Sequence, residues 1–182
     1  MLTEFQKEKL PRLFAMYDTD ANGFIERADF ARLTQAFAQV QGWQPGTEEY
    51  DALEARLMSR WQKMLQFADT DRDERVSLAE WLVYVDDMLS SEDAYEAEVQ
   101  KIARTTFGIF DRDGDGKLTI EEYREGYEVM GLDKTLADDI FHRLDLNADG
   151  YISRSEHLTL IAQFFRSQNP QSPGNWVFGP GK

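Results

Sequence analysis

The stretch DRDGDGKLTIEE places carboxylates at Asp111, Asp113, Asp115 and Glu122 around the turn-forming Gly116. Four anions this close repel one another unless a cation sits among them. Alternate positions of a tight loop point inward together, and the Lys117 carbonyl and the Thr119 hydroxyl add uncharged oxygens. An all-oxygen, flexible shell of this kind suits a hard divalent cation such as Ca2+. With no cysteine and only His142 and His157 in the chain, no donor cluster for a softer metal stands out.

The pattern recurs three times. From Asp18, DTDANGFIERAD offers Asp18, Asp20, Asn22, the Phe24 carbonyl, Glu26 and Asp29. From Asp145, DLNADGYISRSE offers Asp145, Asn147, Asp149, the Tyr151 carbonyl, Ser153 and Glu156. From Asp69, DTDRDERVSLAE offers Asp69, Asp71, Asp73, the Arg75 carbonyl and Glu80. In chain order these are loops one (Asp18), two (Asp69), three (Asp111) and four (Asp145). Their spacing is that of the EF-hand calcium loop, with ligands at positions 1, 3, 5, 7, 9 and 12 and glycine at 6.

Loops three and four keep every ligand and are expected to bind Ca2+. Loop one closes with Asp29 where glutamate is usual. Aspartate is one methylene shorter, which shifts this loop towards Mg2+; it is expected to be occupied, with Mg2+ competing there above all. Loop two has Glu74 in place of the glycine. A side chain in the left-handed backbone region costs about 1–2 kcal/mol, and Arg72 and Arg75 add positive charge beside the site. The sequence leaves open whether loop two holds metal.

Helices must position these loops. Apolar residues recur at helical spacing before each loop, as in Leu10, Leu13, Phe14 and Tyr17, and again after it, as in Phe30, Leu33 and Phe37. Ser77 with Glu80, Thr119 with Glu122 and Ser153 with Glu156 read as capping boxes opening the second helix of a hand. The expected fold is all-α: four hands at 5–40, 56–91, 98–133 and 132–167, in two paired lobes packed into one globule. Short β contacts should join Ile25 to Val76 and Leu118 to Ile152. An insertion with Gly42, Pro45 and Gly46 reads as a loop after the first hand. Residues 168–182 form a tail whose Pro170, Pro173 and Pro180 exclude a continuous helix. Its Trp176, Val177 and Phe178 are expected to plug an apolar cleft between the lobes.

The net charge of −14 argues against nucleic acid as a partner and favours cations. The sequence has no apolar run of membrane-spanning length and no signal-peptide pattern. Together with the lack of cysteine, this points to a cytoplasmic protein. A monomer is expected, and the sequence identifies no protein target.

The layout resembles the sarcoplasmic calcium-binding proteins and bacterial calerythrin. The resemblance rests on four hands in this length, the enlarged connection after hand one, ERADF closing loop one, the irregular second loop and the tail SPGNWVFGP. It implies an aromatic-rich Ca2+ buffer without catalytic activity, with loops one, three and four active. The sequence supports the same reading: the 12 Phe, 7 Tyr and 4 Trp are expected to fill a continuous interior. A Ca2+ sensor exposing a groove to targets is the alternative, but the 6 Met are scattered. A third reading, a photoprotein-like ligand binder, would need an internal cavity lined by polar groups. His142 and His157 read as structural or surface residues.

Overall fold

Thr3 accepts a hydrogen bond from the Gln6 backbone, and the Gln6 side chain accepts one from the Thr3 N–H. This capping box opens α1 (Glu4–Tyr17), which runs into loop one. In the computed structural model, which describes residues 1–180, the first half continues through β1 (Phe24–Ile25), α2 (Arg27–Gln41), α3 (Glu48–Ala68), β2 (Val76–Ser77) and α4 (Leu78–Met88). The second half begins with α5 (Glu92–Tyr95) and a π-helical turn at Glu96–Gln100 that leads into α6 (Lys101–Phe110). It continues through β3 (Lys117–Leu118), α7 (Ile120–Val129), α8 (Ala137–Leu144), β4 (Ile152–Ser153) and α9 (Arg154–Arg166).

Each loop therefore sits between two helices, and the loops pair as their position-8 residues predict. β1 and β2 run antiparallel with Ile25 opposite Val76, and β3 and β4 with Leu118 opposite Ile152. The α3 helix begins well before residue 56. Gly42 ends α2 in the left-handed conformation (φ 72°), and Thr47 then caps a new helix by accepting from the Tyr50 N–H.

Apolar stripes from all these helices meet inside. Phe14 meets Trp81 at 5.8 Å between ring centroids and Phe30 meets Trp61 at 5.6 Å, tying the four helices of the first half together. In the second half Tyr123 and Phe141 join α7 to α8 at 5.6 Å. The halves join through Phe37 and Phe110, edge to face at 5.9 Å, and through the Gln41 amide, which donates to the Ile109 carbonyl at 2.6 Å.

The tail forms a 3-10 turn, Pro173–Trp176, against α8 and α9. Gly174 lies so close to α9 that a Cβ there would stand 2.2 Å from the Leu160 carbonyl oxygen. Phe178 packs edge-on to Phe164 at 4.6 Å. From α1, Arg12 Nη1 donates to the carbonyls of Asn175 and Gly179 at 2.8 and 2.7 Å. Lys9 Nζ donates to the Ser167 carbonyl and to Asn175 Oδ1 at 2.9 and 3.1 Å. Burial, with a smaller contribution from the Arg12 charge, lowers the Lys9 ammonium to a pKa of about 8.

The interior departs from expectation in one respect. Aromatic content predicts a filled core, but a cavity of about 310 Å3 lies between the halves, bordered by Phe37, Phe110, Leu160 and His157. Composition sets the amount of apolar volume, whereas rigid rings meeting edge-on leave gaps that composition does not record. Burial pushes the His157 imidazole down to about 4, against a hydrogen bond to the Ala103 backbone. His142 is exposed, with Nδ1 2.6 Å from the Asp138 carbonyl.

Candidate metal centres

The loops share one backbone course. Position 6 is left-handed in all four: Gly23 (φ 90°), Glu74 (64°), Gly116 (84°) and Gly150 (87°). Position 4 is left-handed as well, at Ala21 (56°), Arg72 (63°), Gly114 (72°) and Ala148 (57°). The position-4 requirement escapes a ligand-by-ligand reading, because any short residue can stand there at a cost.

This course aims backbone N–H groups at the first aspartate. Asp18 Oδ2 accepts from Gly23 N at 2.8 Å, Asp69 Oδ2 from Glu74 N at 3.1 Å, Asp111 Oδ2 from Gly116 N at 3.1 Å and Asp145 Oδ2 from Gly150 N at 2.8 Å.

The carboxylate at position 12 fastens each loop shut. Glu122 accepts from the Arg112 N–H at position 2 and the Thr119 N–H at position 9, at 3.0 and 2.9 Å. Glu156 makes the same two bonds with Leu146 and Ser153 at 3.1 and 2.8 Å. Glu80 makes them with Thr70 and Ser77, both at 2.9 Å. Asp29, despite its shorter side chain, reaches Thr19 N at 3.0 Å and Glu26 N at 2.7 Å. Glu26 and Asp29 thus form a capping box as the other three loops do, which the sequence did not advertise because Glu is a poor N-cap. Burial alone would raise Glu80 and Glu122, but these hydrogen bonds outweigh it, holding Glu80 at about 2 and Glu122 below the usual range.

Three loops draw their acids together. Ligand oxygens of Asp18, Asp20 and Asp29 lie within 4.8 Å of one another, as do those of Asp69, Asp71 and Asp73, and of Asp111, Asp113 and Glu122. Among the described residues, Asp145, Asp149 and Glu156 of loop four do not close to that spacing; Asn147 sits between them and donates to Asp149 Oδ2 at 3.1 Å. Asp115 lies outside the loop-three triad and accepts from Lys117 N at 2.8 Å.

The donor chemistry fits a divalent ion best in loop three. Asp111 is 5% exposed, and its Oδ1 is buried with no hydrogen-bond partner, while Arg154 Nη2 stands off at 3.8 Å from its Oδ2. The other loops are more nearly self-satisfied. In loop one, Arg32 Nη2 lies 2.8 Å from Asp20 Oδ2 and 2.7 Å from the fully buried Asp29. In loop two, Arg75 Nη2 lies 2.8 Å from Asp73 while its guanidinium covers the Phe24 ring at 4.2 Å. Arg32 went unremarked in the sequence because it lies beyond the twelve-residue loop and one turn into α2.

Paired helix–loop–helix units, acidic loops turned at a left-handed sixth position and a two-residue β bridge between loops make up an EF-hand fold. Residues 99–162 match the EF-hand domain pair family. The chain is 24% identical to calerythrin of Saccharopolyspora erythraea over 90% of its own length and 94% of that protein. It is 27% identical to sarcoplasmic calcium-binding protein 1 of Astacus leptodactylus over 92% and 91%. Its fold matches the sarcoplasmic calcium-binding protein of amphioxus with a TM-score of 0.79 at 20% identity, covering 100% of both chains. Among the described residues no helix is long and apolar enough to cross a membrane.

Proposed function

We propose that this chain is a cytoplasmic Ca2+ buffer that holds ions in loops one, three and four, with loop two weak. The single observation that carries this reading is the position-12 clamp. All four carboxylates already span positions 2 and 9 of their loops. Binding then needs little movement of the helix that follows, and buffer EF-hands barely open. Asp111, Asp113, Asp115, the Lys117 carbonyl and Glu122 would hold the ion in loop three, and a bound divalent cation would neutralise their mutual repulsion. Affinities around 10⁻⁹–10⁻⁸ M, with Mg2+ exchange, are typical of such sites.

The docked tail supports the same reading. It covers hand four and is tied to α1 through Lys9 and Arg12, so that face is not free for a target helix. Limited proteolysis between residues 168 and 180, with Ca2+ and with chelator, tests this. A buffer keeps the tail protected in both states, whereas cleavage appearing only with Ca2+ identifies a sensor.

A further inference from the structure

The cavity between the halves has a built opening. It is lined by residues from nearly every helix, yet each exposed lining residue comes from one of two facing stretches, Arg56–Lys63 of α3 and Ala97–Thr105 of the π-helical turn and α6. Solvent therefore reaches the cavity between them. Irregular π turns such as Glu96–Gln100 recur at functional sites.

Charge at this opening runs against the rest of the molecule. In a chain of net charge −14, Arg56, Arg60, Lys63 and Lys101 all border it. Lys63 is paired with Glu98. Among the described residues, Arg56, Arg60 and Lys101 have no carboxylate within salt-bridge distance, and with Glu98 paired to Lys63 the opening keeps a surplus of positive charge; Arg60 Nη2 donates to Tyr17 Oη at 2.8 Å.

The interior carries a second signal. Tyr123 Oη, Tyr127 Oη, His157 Nε2 and Arg60 Nε are buried without a hydrogen-bond partner, and all four residues line this cavity. Buried polar atoms are nearly always satisfied, so four orphans along one apolar space mark groups that a guest completes. The His157 ring engages the Ala103 backbone, which leaves Nε2 for another partner.

We infer that the cavity binds a small amphipathic anion, its ring-sized apolar body enclosed between the halves, its charged head among Arg56, Arg60 and Lys101, and a polar group at its inner end meeting Tyr123 and His157. The volume of about 310 Å3 is at the small end of ligand pockets, which run from about 300 to 1,000 Å3. Two fused rings are the size of body it suits.

The test is calorimetry on the Ca2+-saturated full chain with 6-hydroxy-2-naphthoate, 2-naphthoate and 2-naphthol as probes. The expected order of affinity is hydroxynaphthoate, then naphthoate, then naphthol, with one site per chain. Reversing the exposed charges in the Arg56→Glu/Lys101→Glu variant should weaken both carboxylates about tenfold and leave naphthol unchanged. Filling the mouth with Ile102→Trp should abolish binding of all three. Ca2+ stoichiometry measured on the same variants separates this site from the metal loops and reports whether each variant folds. No binding of any probe at millimolar concentration, equal affinity for naphthol and naphthoate, or binding unaffected by the charge reversal would overturn the assignment.

Discussion

Loops two and three carry the same four carboxylates, at positions 1, 3, 5 and 12, and both fasten position 12 across the loop. They differ in what stands between the ligands. Loop three meets its two left-handed positions with Gly114 and Gly116, whereas loop two meets them with Arg72 and Glu74. At about 1–2 kcal/mol for each side chain in that region, loop two is strained twice and loop three not at all. The acids differ too. Both oxygens of Asp69 accept backbone N–H groups and Asp73 is paired with Arg75, but Asp111 keeps a buried oxygen with nothing to accept. A matching list of ligands therefore does not make equal sites. Backbone strain and internal counter-charge separate them.

Breaking the better loop should give the largest effect. Glu122→Gln removes a charge from the proposed metal shell and weakens the loop clamp; its affinity loss should exceed the about 10–100-fold seen for residues that only support ligands. Calorimetry should show one tight site fewer. Next comes the tail that holds hand four against α1. Gly174→Ala puts a Cβ against the Leu160 carbonyl and should lower stability by about 1–3 kcal/mol in urea unfolding, with faster cleavage after residue 168.

Relieving loop two is a smaller, opposite change. Glu74→Gly should raise its Ca2+ affinity about tenfold, read as a stronger weak-site phase in the titration. Arg75→Ala, which frees Asp73, should gain no more than about fivefold, and the gain should shrink at high salt. The smallest effect is in acid. Glu80 has a folded pKa of about 2 against an ordinary 4.5, so its stabilisation is complete above pH 4.5 and is lost as pH falls towards 2. In chelator, the stability gap between wild type and Glu80→Gln should close over that range.

Much of this was legible in the residues because the governing interactions are local. Carboxylates at alternate positions, Ser77, Thr119 and Ser153 capping onto a glutamate three residues on, and the Ile25–Val76 and Leu118–Ile152 pairings all follow from spacing within one or two loops. Other features depend on geometry that spacing does not encode. The left-handed position 4 shows only in the backbone angles of Ala21, Arg72 and Ala148. Arg32 folds back from α2 onto loop one, and the cavity exists because segments far apart in sequence leave room around His157. The histidine took an ordinarily apolar place in the α9 stripe, and that was the one trace of the cavity in the sequence.

The most direct test is a Ca2+ titration of the wild-type chain beside Arg72→Gly/Glu74→Gly, which gives loop two the glycines of loop three. Three tight sites rising to four would bear the account out. A wild type that retains no Ca2+ at micromolar free ion, or one with four equal tight sites that the glycines leave unaltered, would contradict it.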